Sequence, residues 1–197
     1  DNWAVQAALW QNRHLGRHIV TTAVEHSAVL EACKWAEKQG CEVTYVPPDA
    51  HADITAQQVL DAVRPDTALV SVMLVNNELG NVYPIADIAR GLASRNPKTL
   101  LHTDAVQGFL EVPFTARALG ADFITVSAHK TLPAPGQTAV VFANGVRLAE
   151  LKRAASLTGS SSPSYPMLAA LDKLREWMWE NRGAYRKAAA WCADLRR

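Results

Sequence analysis

Several things are scarce in this chain of 197 residues, and each scarcity excludes a class of protein. Cysteine is rare: Cys33, Cys41 and Cys192 make three, an odd number at no metal-ligand spacing. A disulfide framework and a bound metal are therefore not expected, and a reducing, cytoplasmic compartment fits best. Charge of one sign is not in excess, since twenty Lys+Arg stand against nineteen Asp+Glu and leave +1 at pH 7. So small a balance provides no bulk field to hold nucleic acid or an anionic membrane, and any partner must be recognised locally. No apolar run reaches the roughly 20 residues that cross a bilayer. What remains is 49% hydrophobic and 20% charged residues, the composition of a globular protein with one sizeable core or two small ones.

The opening DNWAVQAALWQNRHLG is polar at its start and then apolar at helical spacing, with Trp3, Ala7 and Trp10 on one face and Asp1 or Asn2 as the N-cap. A helix that begins with the chain leads to the expectation that the loop feeding it is missing. Short β-rich runs then alternate with amphipathic helices: RHIVTTAV, SAVLEACKWAEKQG, EVTYV, TAQQVLDAV, TALVSVMLV, IADIARGLAS, TLLHTD, FTARALG and DFITVSA. This alternation predicts an α/β fold, a mainly parallel mixed sheet sandwiched between helices. GQTAVVFA reads as a further strand, VRLAELKRAA as a helix and TGSSSPSYP as a loop. The next helix carries Leu168, Leu171, Leu174 and Met178 on one stripe and ends at Gly183. A last helix is still periodic at Arg197, so truncation is expected at both ends.

In a parallel sheet the ligand sits at the carboxyl ends of the strands, so the residues just after each strand matter most. Glu25-His26-Ser27, Asn76-Asn77-Glu78, His102-Thr103-Asp104 with Gln107, and Ser127 with His129-Lys130 fall there, and the SSSPSYP loop is a fifth cluster. An aspartate on one strand end and a lysine on another suit pyridoxal phosphate. That cofactor needs a lysine for an internal Schiff base and a carboxylate at its ring nitrogen. Asp104 and Lys130 fit those parts, with the amine's loss of its proton favoured by partial burial, and His26 is the candidate to stack on the ring. Plainer readings stand beside these. Asp104 could be a helix N-cap with Gln107 in the capping-box position, His26 could be the N-cap neighbour of the helix after it with Glu25 at that helix's positive end, and Glu78 could only fix a turn. Ser162, Ser164 and Tyr165 suit a subunit interface or a simple connection.

TTAVEHSAVL, VNNELGNVYPI, LLHTDAVQG and TVSAHK are similar to motifs of the cysteine desulfurases, within the fold-type I, class V aminotransferase-like pyridoxal-phosphate enzymes. The resemblance covers roughly residues 1 to 130. It implies the cofactor-binding large domain of that fold, with a seven-stranded type of sheet. Lys130 would be the Schiff-base lysine, Asp104 the partner of the pyridine nitrogen, Gln107 a neighbour of the ring hydroxyl and His26 the stacking, proton-handling histidine. Ser127 and His129 would hold the phosphate, and Asn76 would lie beside the ring and the substrate carboxylate. It further implies a homodimer, an amino-acid substrate and a sulfur-acceptor protein. Residues 1–183 would be the large domain, and 184–197 the start of a helix leading to a missing small domain.

After Lys130, HKTLPAPGQTAVVF and SSSPSYPMLAALD resemble instead the ornithine/lysine/arginine decarboxylases. The expected activity is desulfuration of L-cysteine to L-alanine. The alternatives are decarboxylation of a basic amino acid, or an inert or dimerising module without activity of its own. The cysteines read as packing residues, so a persulfide-forming thiol would lie in sequence not contained in these 197 residues.

Overall fold

The computed structural model describes residues 1–144, 148–159, 162 and 164–195. Two compact units emerge, Asp1–Val126 with Val140–Ser161, and Ser127–Ala139 with Ser162–Arg197. In chain order the elements are α1 (Asn2–Gln11), β1 (His18–Thr22), α2 (Ser27–Lys38), β2 (Glu42–Val46), α3 (Ala56–Asp61), β3 (Thr67–Ser71), α4 (Ile85–Arg95), β4 (Leu100–Asp104), α5 (Ala116–Leu119) and β5 (Phe123–Ser127). They continue with α6 (Ala128–Thr131), β6 (Ala139–Ala143), α7 (Leu148–Thr158), α8 (Tyr165–Glu180) and α9 (Ala184–Leu195).

The sheet carries the order β2-β1-β3-β4-β5-β6, six strands among the described residues rather than the seven that the resemblance implied. The pairs β1–β2, β1–β3, β3–β4 and β4–β5 are all parallel. Ala128 N donates to Thr138 O and Asn144 N to Asp122 O, so β6 runs opposite to β5 and the sheet is mixed, as the alternation predicted. Strands β1, β3, β4 and β5 are buried along their whole length, whereas β2 and β6 at the edges are partly exposed. Continuous burial means both faces are covered, as a parallel sheet requires.

Period-two alternation divides the core. Val20, Val70, Leu101 and Ile124 pack with Val59 of α3 and Ile85, Ile88 and Leu92 of α4. Their strand neighbours Ile19, Leu69, Leu100 and Phe123 pack on the other face with α1, α2 and α7. The residues α1 buries are Ala4, Val5, Gln6, Ala7 and Ala8; Trp3 is exposed, and Trp10 is half-buried beneath the guanidinium of Arg153, 5.1 Å from its ring centroid. The expected Trp3–Ala7–Trp10 face is thus corrected. Alanines let α1 lie close between the sheet and α7, and that spacing has no room for two indoles. A close approach also fixes Gly16, where a Cβ would lie 2.2 Å from the carbonyl oxygen of Asp66.

In the second unit α8 stops at Glu180 with Asn181 as its C-cap, earlier than the predicted end at Gly183. Of the predicted stripe Leu174 is buried and Leu168 exposed, while Tyr165, Trp179 and Trp191 project large apolar groups to solvent. The hydroxyl of Tyr185 donates to Thr131 O at 2.9 Å, tying α9 to the end of α6. Among the described residues no helix is long and apolar enough to cross a membrane.

Two histidines lie inside the sheet. His102 is wholly buried, with Nδ1 2.8 Å from Ser71 Oγ and Nε2 2.9 Å from Thr125 Oγ1, so one ring bridges β3, β4 and β5. His18 bridges Thr67 and Thr44 in the same way. Burial pushes His102 down from 6.5 to about 3, with Asp104 opposing the fall. The unfolded chain takes up that proton below 6.5 and the folded one does not, so the stability this ring contributes is complete above pH 6.5 and is lost as pH falls toward 3. A His102→Leu substitution should flatten this acid limb in a pH series of thermal midpoints. At neutral pH, chemical denaturation should register a loss of about 2 kcal/mol from the two hydroxyls left unpartnered.

Candidate active site at the carboxyl edge of the sheet

Parallel strands deliver their carboxyl ends to one edge, and the polar clusters found in the sequence follow those ends. After β1 the chain turns through Ala23–Glu25 into α2, and His26 is the N-cap. Its Nδ1 accepts from Ala28 N at 3.2 Å, so a neutral ring carries its hydrogen on Nε2, which has no partner among the described residues. The capping role is therefore observed, with His26 as the cap itself rather than its neighbour. It fixes the tilt of the imidazole and leaves its other nitrogen free.

Asn76, beyond β3, is buried and fully engaged. Its Oδ1 accepts from Glu78 N and Leu79 N, both at 2.9 Å, and its Nδ2 donates to Val24 O at 3.1 Å. The turn that Glu78 was a candidate to fix is held by Asn76; Glu78 itself accepts from half-buried Asn77.

Asp104 closes β4 with 4% of its surface exposed, and its Oδ1 accepts from Val106 N at 2.9 Å. No α-helix starts here, which corrects the capping-box alternative. The residues after Asp104 form turns, Leu110 takes a left-handed φ of 66°, and Pro113 cannot continue a helix. Gly108 lets this turn press on the sheet, because a Cβ there would meet Leu74 Cδ2 at 2.7 Å. Gln107 is half-buried, and its side chain makes no hydrogen bond among the described residues. His102 and Thr103 precede Asp104 inside the sheet, and Thr103 Oγ1 is buried without a hydrogen-bond partner.

The sequence placed Glu25 at this edge, at the positive end of α2, but did not show its burial or its partners. Glu25 is 5% exposed. Its Oε1 accepts from Thr22 Oγ1 at 2.8 Å and from Met73 N at 2.9 Å, while Oε2 is buried without a partner. The contact with Met73 reaches across 48 positions, which no local pattern displays. An apolar strand run directly into the acid was the available signal.

In the second unit, Ser127 is buried and His129 and Lys130 are exposed. His129 Nδ1 lies 3.1 Å from Ser127 Oγ and 3.2 Å from Thr138 O. A carbonyl can only accept, so Nδ1 carries the proton and the hydroxyl of Ser127 remains free to donate. Lys130, on the single turn of α6, has no ion-pair partner among the described residues. The partial burial expected of this amine is not supplied by the chain itself, because α6 presents it to solvent. Ser164 is the N-cap of α8, without a side-chain cap bond, and Tyr165 is exposed; Ser160, Ser161 and Pro163 lie outside the described residues.

Cys33 is buried, and burial pushes its thiol up to about 12. Cys41 is half-buried and likewise raised by burial. Both are the packing residues expected; the side chain of Cys192 lies outside the described set.

Taken singly, these residues have chemistries that pyridoxal phosphate would use. In the first unit Asp104 is a carboxyl on a buried strand end with one oxygen not committed to the backbone; in the second, Ser127 is a hydroxyl donor and Lys130 an amine with no ion-pair partner among the described residues.

The family model described as Aminotransferase class-V matches residues 2–164. The match runs on through the stretch after Lys130, so the likeness to decarboxylases seen there marks no boundary of the class-V match. The chain is 38% identical over 148 residues to cysteine desulfurase IscS of Methanosarcina thermophila, covering 75% of this chain and 36% of that protein. It is 41% identical over 144 residues to putative cysteine desulfurase IscS 1 of Bacillus subtilis, covering 73% and 37%. Among solved structures, SspA in complex with cysteine superposes with a TM-score of 0.76 at 32% identity, over 89% of this chain and 51% of that one. DndA from Streptomyces lividans does so with a TM-score of 0.64 at 38% identity, over 73% and 39%. The chain thus spans little more than a third of the length of these curated relatives.

Replacing Asn76 by Ala should cost the intact protein about 1–2 kcal/mol, because three partly buried hydrogen bonds to the backbone are lost. Asn76→Asp keeps the two accepted bonds and should cost less. Denaturant unfolding of both variants would measure the difference.

Proposed function

This chain belongs to the aminotransferase class-V family, and from that premise we propose that it is part of a pyridoxal-phosphate-dependent cysteine desulfurase, with L-cysteine as substrate and L-alanine as product. The observation that carries the reading is the buried carboxyl of Asp104 at the end of β4, in a chain whose curated relatives are named cysteine desulfurases. A carboxyl in that position, held at one oxygen by a backbone amide, is suited to keeping a ring nitrogen protonated.

Pyridoxal phosphate, when bound, supplies an aldehyde that condenses with amines and a protonated ring that accepts electrons from a bond broken at the substrate α-carbon. Asp104 would hold that ring nitrogen charged. Lys130 would provide the amine that attaches the cofactor and would take and return the proton at the α-carbon. His26 would stack on the ring and handle a proton through Nε2. Gln107 would hold the ring hydroxyl, Ser127 and His129 the phosphate, and Asn76 the wall beside the ring and the substrate carboxylate.

Desulfuration further needs a thiolate. It forms a sulfur–sulfur bond with the substrate sulfur as the carbon–sulfur bond breaks; the electron pair passes to the β-carbon, which is protonated to give alanine. Buried Cys33 and half-buried Cys41, both with raised thiols, do not suit that task, so the reading assigns it to sequence outside these residues, and passes the sulfur to an acceptor protein. We read residues 1–183 as the large domain and 184–197 as the approach to a small one, in a cytoplasmic homodimer. The exposed Tyr165, Trp179 and Trp191 support an oligomer.

The intact protein should carry visible absorbance that borohydride bleaches while fixing a pyridoxyl group on the peptide containing Lys130. It should release sulfide from L-cysteine, and Lys130→Ala should lower that rate by at least about 10²-fold. Carbon dioxide from lysine, ornithine or arginine without sulfide from cysteine would overturn desulfuration. A colourless intact protein that binds no pyridoxal phosphate would favour the inert module.

A further inference from the structure

Glu25 has no part in the roles assigned above, yet it occupies the switch point of the sheet. The chain leaves β1 toward β2 on one side and returns to β3 on the other, so the connections diverge at the carboxyl ends of β1 and β3. That divergence opens the crevice where ligands of such sheets sit. Here a carboxyl bridges it. Oε1 takes a hydrogen bond from Thr22 on the β1 side and another from Met73 N just beyond β3, and Oε2 lies buried without a donor.

This bond pattern suits a carboxylic acid rather than a carboxylate. A neutral acid has one carbonyl oxygen able to accept twice and one hydroxyl. An ionised group would leave half of a buried charge on an oxygen that nothing bonds, which is far more costly. The titratable groups around it are Asp104 on β4, Cys33 on α2 and Tyr83 ahead of α4, and none of them is a cation. Burial pushes Glu25 up to about 8; its bonds to Met73 and Thr22 pull the other way, and the charge of Asp104 adds to the rise.

We propose that Glu25 is a positioning residue, a neutral carboxylic acid that clamps the β1–α2 turn across the switch point and sets the ring of His26. His26 follows Glu25 directly, so a side chain pinned between Thr22 and Met73 fixes where the imidazole begins, and the cap bond to Ala28 N fixes its tilt. The role given to His26 and Asp104 rests on the cofactor reading above; the protonated clamp does not.

The tests use the intact protein. In its cofactor-free form at neutral pH, infrared spectroscopy should show the carbonyl stretch of a protonated carboxylic acid that disappears in Glu25→Gln; wild-type protein without that band overturns the proposal. The folded value lies above the unfolded one, so the stability this acid contributes is complete below pH 4.5 and is lost as pH rises through about 8. Between about pH 5 and about pH 9 the thermal midpoint of the wild type should therefore fall more steeply than that of Glu25→Gln, and equal slopes would count against the clamp. In the loaded enzyme Glu25→Leu should shift the cofactor's visible spectrum and lower kcat by about 10²-fold. The neutral isostere Glu25→Gln should rescue both, and a Gln variant as impaired as the Leu variant would show that an ionisable group is required. A protein that takes up no pyridoxal phosphate yet keeps the infrared band and the difference in slope refutes the cofactor reading and upholds the clamp.

Discussion

Parallel pairing of five strands is the constraint on which everything else in the first unit depends. Strands that run the same way must be joined by crossovers, and the crossovers bring helices to both faces. With both faces covered, every position of β1, β3, β4 and β5 is buried. A polar ring within those strands then needs partners, which is why His18 and His102 sit among threonine and serine hydroxyls. The same pairing sends the carboxyl ends to one edge, where the chain must leave the sheet and where backbone and side-chain polar groups collect.

At that edge structural and chemical duties fall on the same side chains. His26 caps α2 with one nitrogen and keeps the other free. Asp104 closes its turn through one oxygen and keeps the second uncommitted by any backbone bond. Asn76 spends its whole amide on the turn after β3 and on Val24, so its contribution is to hold the wall rather than to reach outward. Glu25 joins the ends of β1 and β3 directly. A site built this way has its geometry set by bonds that also stabilise the fold, which keeps each free atom in a narrow range of positions.

Much of this was legible in the residues. All six strands coincide with apolar or β-branched runs, and the alternation of runs with amphipathic helices announced the layered sheet. The polar residues after the strands, Asn76 and Asp104 among them, marked the edge, because there the chain leaves the apolar core. Other features were not legible. The indoles of Trp3 and Trp10 suggested the packing face of α1, but the distance available between the sheet and α7 selected the alanines. A helix after Asp104 was plausible from Asp-Ala-Val-Gln alone; the left-handed Leu110 and the close packing at Gly108 gave turns instead.

By itself the sequence determined the layered α/β class, the position of each strand, the edge at which chemistry collects and, through its motifs, the family. Those depend on periodicity and on short runs whose spacing is fixed by the local geometry of strands and helices. Only the tertiary structure decided which polar residues are bonded inward and which keep a free atom. Glu25 finds Met73, His102 finds Ser71 and Thr125, and Asn76 finds Val24 across 23 to 52 positions of chain. Pairings of that length arise when the sheet brings strand ends together, and burial then sets the protonation of the groups enclosed there.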